Sequence, residues 1–310
     1  MRGIAVGVDA GGTATTASFS RDGVFCGTLS GEGASASALG ISEAARRIVA
    51  TIEALLKGES PGSIYVGAAG AGRSDVACGI ERALRERFAG AHVGVSDDAH
   101  IALRACVQSG PGMVLIAGTG SIAYAISEEN TPVRAGGYGY FLGDEGSGFA
   151  LGLAATKVLA RVYDGGATAD ELTAAVQTRL GVDDEMALLD RIYGNAPPVA
   201  RIAALAPVVL SCANAGVRSA QKIVQTAALE LCELLKRVAK KAGLRDSVCP
   251  LVLSGGLLGE NSMLSFLVET RLQADLPLAG IIKGHAEAHR GALLIAQSVL
   301  ENVKLEKERG

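Results

Sequence analysis

Residues 4–20 read IAVGVDAGGTATTASFS, and this stretch decides the fold. The apolar run from Ile4 to Val8 is typical of a buried strand, and it closes on Asp9. Gly11 and Gly12 then turn the chain, and Thr13 to Ser20 continues as a second strand. The stretch therefore predicts two strands joined by a turn that contains a carboxylate, two glycines and a hydroxyl.

The same order of features returns at residues 113–126, which read MVLIAGTGSIAYAI. An apolar strand is followed by a glycine turn with a threonine, and a second strand returns from Ser121. This repeat predicts two related lobes with a boundary near residue 111. We expect an N-terminal lobe of residues 1–111 and a C-terminal lobe of residues 112–310, whose final helix can pack back on the first lobe.

The remainder of the chain alternates apolar strands with amphipathic helices. Further strands are predicted at residues 64–69, 92–96 and 250–253, and helices at 42–56, 74–88, 98–106, 145–163, 169–180, 217–242, 261–273 and 285–300. Ser42 is a suitable N-cap for the first of these helices. The fold class predicted is α/β in both lobes, with the C-terminal lobe enlarged by helices.

Composition narrows the class of protein. The chain has 310 residues, 49% of them hydrophobic and 20% charged, which is ordinary globular composition. A net charge of −3 gives no electrostatic reason to expect a nucleic-acid partner. The sequence has neither a signal-peptide pattern nor an uninterrupted apolar span, so we expect a cytoplasmic protein with no membrane partner. The six cysteines form no CxxC pair, and we expect them to be reduced, buried thiols.

Three glycine segments follow apolar strands, at Gly11-Gly12-Thr13, Gly118-Thr119-Gly120 and Gly255-Gly256. Glycines let backbone N–H groups approach phosphate oxygens closely, and a threonine hydroxyl adds a donor. Asp9, just before the first segment, can hold Mg²⁺ directly or through water. A plain hairpin turn explains the first segment alone equally well, but three such segments in order favour a nucleotide site.

Other nucleotide-binding signatures are missing. No glycine is followed by Lys-Ser or Lys-Thr, which excludes a P-loop NTPase, and the protein-kinase motif set is also missing. The segment Gly67 to Gly72 resembles a dinucleotide-binding loop only loosely, because its glycine spacing is wrong.

Two carboxylate segments lie where active-site groups are often found. Asp97-Asp98 lies where a strand gives way to a helix, and Gly143 to Gly148 (GDEGSG) follows an aromatic, glycine-rich loop. The alternative for the aspartates is helix capping, which we expect of Asp98 more than of Asp97. His100 is interpreted as a packed or solvent-facing imidazole. His285 and His289 share a helix face, but without a third ligand they do not predict a metal site.

These motifs together resemble a known family. A strand ending in DAGGT, an SD at a strand end, AGTGS, GGYGYFLGDEGS and a late SGG are similar to the N-acetylglucosamine and glucosamine kinases, which lie with the BadF/BadG-type ATPases in the actin-like superfamily. The resemblance extends from residue 4 to the final helix, and GGYGYFLGDEGSG is its most specific part. It implies two ribonuclease H-like (actin-like ATPase) lobes with an inter-lobe cleft. It also implies ATP and Mg²⁺ as cofactors, a sugar substrate phosphorylated at its 6-hydroxyl, and a homodimer.

The resemblance also implies residue roles. Asp97 matches the catalytic base that takes the proton of the sugar hydroxyl, and Asp144 the carboxylate near the bound sugar. Asp9 is the expected metal ligand. The three glycine segments match the phosphate loops and the adenosine-side motif. The expected substrate-contacting residues are Ser35, Asp97, Ser121, Gly137 and Asp144. Two departures leave the sugar open: residues 33–37 contain no Asn, and Ile122 replaces a polar residue of some members.

Two other functions compete with the kinase. A BadF/BadG-type ATPase that activates a radical enzyme holds an iron–sulfur cluster through paired cysteines in signature segments, and no such segment is present. A non-catalytic sugar- or nucleotide-binding protein has no need of Asp97. The kinase is therefore the preferred interpretation.

Overall fold

The computed structural model describes residues 3–194, 199–259, 262–283 and 287–309. The chain divides into two units. Unit 1 spans Met1–Gly110 and His285–Gly310, and unit 2 spans Pro111–Gly284.

The elements follow one another in an α/β order. Unit 1 contains β1 (Ile4–Ala10), β2 (Ala14–Arg21), β3 (Val24–Glu32), α1 (Ala36–Leu39), α2 (Ile41–Leu56), β4 (Ser63–Ala68), α3 (Ser74–Arg87), β5 (His92–Asp97) and α4 (Asp98–Cys106). Unit 2 contains β6 (Gly112–Ala117), β7 (Ser121–Ile126), β8 (Pro132–Gly136), α5 (Gly148–Tyr163), α6 (Glu171–Leu180), α7 (Glu185–Tyr193), α8 (Val199–Ala203), α9 (Ala206–Asn214), α10 (Arg218–Lys241), β9 (Cys249–Ser254), α11 (Met263–Asp275) and β10 (Ala279–Lys283). The last helix, α12 (Ala288–Arg309), belongs to unit 1.

Unit 1 is built on a five-stranded mixed sheet of order β3-β2-β1-β4-β5. β1, β2 and β3 pair antiparallel through short turns, whereas β1, β4 and β5 pair parallel. Parallel neighbours need long crossover connections, and α2 and α3 lie in those connections. The sheet therefore gathers the carboxyl ends of three strands at one edge.

Side chains of β1 alternate between two faces of this sheet. Val6 and Val8 are fully buried in a cluster with Ile48 and Ile52 of α2 and with residues of α3. On the opposite face, Ala5 packs in a cluster with residues of α12. The sheet of unit 1 is thus covered by helices on both faces, which explains why β1 and β4 are apolar almost throughout.

Unit 2 repeats this topology. Its five-stranded sheet has the order β10-β9-β6-β7-β8, with β6, β7 and β8 antiparallel and β6, β9 and β10 parallel. β6 and β7 correspond to the β1–β2 hairpin, as the repeated sequence predicts. The predicted α/β class with two related lobes, the second enlarged by helices, is confirmed.

Some local expectations were wrong. Ser42 is not the N-cap of α2, because the helix begins at Ile41 and Gly40 occupies the cap position. β8 and β10 were not predicted, since both are five-residue edge strands with few consecutive apolar residues. The cysteines are free, but Cys26 and Cys78 are exposed, so the expectation of buried thiols is wrong for these two.

Membrane-spanning segments were sought by helix length and hydropathy. Among the described residues, no single helix is long and apolar enough to cross a membrane. One pair of helices, Val199–Asn214 and Arg218–Lys241, is long and apolar enough when the two are taken together, but it is bent by 114°.

A glycine in α5 gives a test of the packing in unit 2. A Cβ atom at Gly152 would lie 1.9 Å from the carbonyl oxygen of Ile202 in α8, so Gly152→Ala must push two helices apart. We expect the free energy of unfolding to fall by about 1–3 kcal/mol, the usual cost of overpacking. Denaturant unfolding would measure it.

Gly280→Ala is the matched control, because a Cβ atom there meets no atom within 4 Å. Equal stability of the Gly152→Ala variant and the control would contradict the packing of α5 on α8.

Candidate active site

The carboxyl edge of the unit 1 sheet carries the aspartates singled out in the sequence. Asp9 is the second-to-last residue of β1, and Asp97 is the final residue of β5. In the strand register, Ala10 pairs with Ala68, and Ala68 pairs with Asp97. Since neighbouring strands lie about 4.8 Å apart, the parallel pairing brings both aspartates to one edge.

Asp97 is the N-cap of α4. Its Oδ1 atom accepts a hydrogen bond from the backbone N–H of Ala99 at 3.1 Å, and its side chain is buried. The expectation that capping belongs to Asp98 was therefore wrong. Capping fixes the Asp97 carboxyl relative to the helix backbone, which limits its rotation.

Asp98 begins α4 and is the residue that sequence reasoning undervalued. Burial raises its pKa well above the usual range, and a hydrogen bond from its carboxyl to Asp97 together with the charges of Asp97 and Asp9 raises the pKa further. The only sequence signal was its position directly after Asp97.

Asp9 is a partly buried carboxyl whose pKa burial raises to about 6. Within the described part of the chain, no ion pair or hydrogen bond to its carboxylate is recorded. A desolvated carboxyl without a cationic side chain beside it fits a role as a cation ligand.

The first glycine loop connects β1 to β2. The backbone N–H of Gly11 donates to the carbonyl of Ala14 at 3.0 Å, while Gly12 and Thr13 are exposed. The segment after β3 lies against this loop, because a Cβ atom at Gly33 would be 2.2 Å from the Gly12 carbonyl oxygen.

Ser35 follows this contact at the N-cap position of α1. Its side chain makes no capping hydrogen bond and is half-buried. The structure thus places the sequence-predicted Ser35 beside the first glycine loop.

Two of the histidines singled out in the sequence, His100 and His289, lie among the described residues. Nδ1 of His100 lies 3.3 Å from the Tyr65 hydroxyl, and burial lowers the pKa of His100 to about 4, with the nearby charge of Arg104 adding to the effect. His100 is therefore a packed, neutral imidazole, as predicted. His289 is buried, while its predicted partner His285 lies outside the described residues.

In unit 2, the second glycine loop joins β6 to β7 and supports α5. The carbonyls of Gly118 and Thr119 accept hydrogen bonds from the N–H groups of Gly148 at 2.8 Å and Phe149 at 3.1 Å. Ser147 caps the helix by accepting from the N–H of Ala150 at 3.2 Å. The helix N-terminus thus lies next to the loop, a favourable place for anionic oxygens.

The carboxylate of Asp144 lies against this loop. It has a positive φ of 62°, which only a minority of non-glycine residues adopt. Its Oδ1 atom accepts from the backbone N–H of Ser121 at 3.1 Å, and a Cβ atom at Gly120 would lie 2.9 Å from the carboxylate oxygens. Burial raises the pKa of Asp144.

Ser121 ties the GDEG segment to β7. Its hydroxyl donates to the carbonyl of Glu145 at 2.7 Å, and its own carbonyl accepts from the N–H of Gly137 at 3.1 Å. The sequence-predicted Ser121, Gly137 and Asp144 are therefore brought together around one residue.

The third glycine segment ends β9, which is the parallel neighbour of β6. Gly255 has a φ of 92°, and a Cβ atom there would lie 2.3 Å from the carbonyl oxygen of Ala117. Gly256 beside it is exposed. The late glycines and the second glycine loop thus share the carboxyl edge of the unit 2 sheet.

A metal site built by protein ligands alone was also sought. The part of the chain that the structure describes has no group of three or more His, Cys, Asp or Glu side chains that could hold an ion. Mg²⁺ in nucleotide sites usually takes one or two carboxylates together with phosphates and water, so Asp9 fits that role.

Comparisons with known proteins agree with these features. The chain is 30% identical over 240 residues to an N-acetylmuramic acid/N-acetylglucosamine kinase of Clostridium acetobutylicum, covering 77% of this chain and 78% of the relative. It is 26% identical over 310 residues to an N-acetyl-D-glucosamine kinase of Dictyostelium discoideum, covering 94% and 97%.

Among solved structures, a protein of Chromobacterium violaceum, provisionally named an N-acetylglucosamine kinase, matches with a TM-score of 0.79 and 26% identity over 96% of this chain and 99% of that one. The family model of the BadF/BadG/BcrA/BcrD ATPases matches residues 6–296. The chain therefore belongs to the BadF/BadG/BcrA/BcrD ATPase family.

Proposed function

We propose that this chain is an ATP-dependent kinase that phosphorylates an N-acetylated amino sugar, with N-acetylglucosamine as the first substrate to test and its 6-hydroxyl as the acceptor. Membership of an ATPase family and the names of the two relatives support sugar phosphorylation. The single observation that carries the proposal is the gathering of Asp9, Asp97 and Asp98 at one edge of the unit 1 sheet, with Asp97 fixed as the N-cap of α4.

Phosphoryl transfer asks for few protein groups. The reacting oxygens must be in line, the phosphate charge must be stabilised, and a base must accept the hydroxyl proton. Backbone N–H groups and hydroxyls of the glycine loops at Thr13 and Thr119 are suited to the phosphates, with Gly255 and Gly256 near the nucleoside. These assignments are part of the proposal.

We assign the base to the Asp97–Asp98 pair and the proton transfer itself to Asp98. The sequence interpretation gave this role to Asp97, but the Asp97 carboxyl is buried and accepts the capping hydrogen bond from the Ala99 N–H, whereas Asp98 is half-buried and does not cap the helix.

The chemical step is a single displacement at the γ-phosphorus. Asp98 accepts the proton as the sugar oxygen attacks the γ-phosphorus, a new O–P bond forms, and the bond from that phosphorus to the β-phosphate oxygen breaks to release ADP. Asp97 orients the acceptor carboxyl through their hydrogen bond.

Mg²⁺ is the cation proposed for Asp9. When bound, it would neutralise phosphate charge, which is the chemistry that hard divalent cations supply in such sites. Because the pKa of Asp9 is about 6, its carboxylate form dominates only above that pH.

The sugar-facing role is proposed for Asp144 with Ser121 and Gly137, and for Ser35 in unit 1. A carboxylate held at positive φ against a glycine is pre-organised to accept hydrogen bonds from sugar hydroxyls.

A coupled ADP-release assay with Mg-ATP tests the function. We expect release to be stimulated by N-acetylglucosamine above hexoses without an acetamido group, and to be low with no acceptor. Steady release that ignores every sugar would contradict the kinase and favour an ATPase that acts on a partner protein.

Replacing the proposed base gives a second test. We expect Asp98→Asn to lower kcat about 10²–10⁴-fold, the usual loss for a general base, while ATP binding by calorimetry stays nearly intact. Wild-type turnover in this variant would refute the assignment.

Asp97→Asn is the matched control. It removes the negative neighbour that raises the pKa of Asp98, so the acidic limb of kcat/KM should move to lower pH. A larger loss of kcat in Asp97→Asn than in Asp98→Asn would return the role of base to Asp97.

A further inference from the structure

We propose that Gly67, Ile101 and Gly291 are positioning residues, which hold α4 in the one place where its first residue can act on substrate. The proposal rests on the proposed function, because α4 carries the Asp97–Asp98 pair at its N-terminus. We call these three residues the α4 seat.

The first contact of the α4 seat lies between the helix and the sheet. Gly67 of β4 is the register partner of Asp9 on β1. A Cβ atom at Gly67 would lie 2.4 Å from both Cδ1 and Cγ1 of Ile101. Ile101 is fully buried and lies three residues after Asp98, on the same side of α4. Its side chain therefore rests directly on the strand beside Asp9.

The second contact lies on another side of α4. Gly291 belongs to α12, and a Cβ atom there would lie 2.0 Å from the Ile101 carbonyl oxygen and 2.6 Å from the Ala105 nitrogen. Both of these atoms belong to the helix backbone, which cannot rotate away as a side chain can. α4 is thus held between β4 and α12 with no room for a methyl group on either side.

α12 is fixed in turn against the strand that bears Asp9. A Cβ atom at Gly7 of β1 would lie 2.1 Å from the Leu293 nitrogen and 2.6 Å from the His289 carbonyl oxygen. The hydroxyl of Ser63 donates to the carbonyl of Ala296 at 2.6 Å. The position of α4 relative to β1 is therefore fixed through α12 as well as through β4.

The consequence is geometric. Catalytic groups must be held within a fraction of an ångström of their working places, and a misplacement of about 1 Å can cost about 10²-fold in rate. The seat also explains the loosely dinucleotide-like run from Gly67 to Gly72, whose first glycine is required for helix packing.

The test is a size exchange across the Gly67–Ile101 contact. Gly67→Ala should displace α4 and lower kcat for sugar phosphorylation by about 10–100-fold, with KM for ATP changed less than about threefold. Ile101→Ala should also lower kcat, because the helix loses its support. The double variant Gly67→Ala/Ile101→Ala restores a methyl-sized contact and should recover most of the wild-type kcat.

Gly27→Ala on β3 is the control, since a Cβ atom there makes only an ordinary 3.6 Å contact with Phe19; it should match the wild type. Wild-type kcat in Gly67→Ala would overturn the proposal. So would a double variant that is no faster than Ile101→Ala, a comparison that remains available if Gly67→Ala alone fails to fold. An inactive wild-type protein would instead refute the proposed function.

Discussion

Parallel pairing of β1 with β4 and of β4 with β5 is the constraint on which the unit 1 site depends. It sends the carboxyl ends of three strands to one edge and places Asp9 two strands away from Asp97. Burial raises the pKa of Asp9, and burial together with the neighbouring Asp97 and Asp9 raises the pKa of Asp98.

Unit 2 has the same strand topology, but glycine segments lie at the carboxyl edge of its sheet. Its parallel β6 and β9 bring two glycine segments together, and Gly255 approaches Ala117 so closely that no side chain fits. The second glycine loop accepts hydrogen bonds from the N-terminus of α5, and the Asp144 carboxylate accepts one from the N–H of Ser121 directly after the loop. Unit 1 thus gathers aspartates at its sheet edge, whereas unit 2 gathers glycine segments beside the Asp144 carboxylate.

Much of this could be predicted from the sequence, because buried strands closed by glycines are a strong local signal. The repeated hairpins, the helices of 74–88 and 98–106 and the late strand before Gly255 all follow from periodicity. The edge strands β8 and β10 escaped prediction, since their existence depends on a neighbour rather than on their own pattern. The cap of α4 also escaped, because adjacent aspartates are alike in sequence and differ only in which carboxyl the helix backbone engages. No sequence rule reveals that Gly67 and Gly291 face one helix.

The proposed reaction moves the γ-phosphoryl group of ATP to a sugar hydroxyl. The most direct measurement is ³¹P NMR of a reaction containing the protein, Mg-ATP and N-acetylglucosamine. We expect a new phosphomonoester resonance, coupled to the protons at C6 of the sugar, that grows in proportion to ADP. Growth of inorganic phosphate alone, with no sugar phosphate, would contradict it.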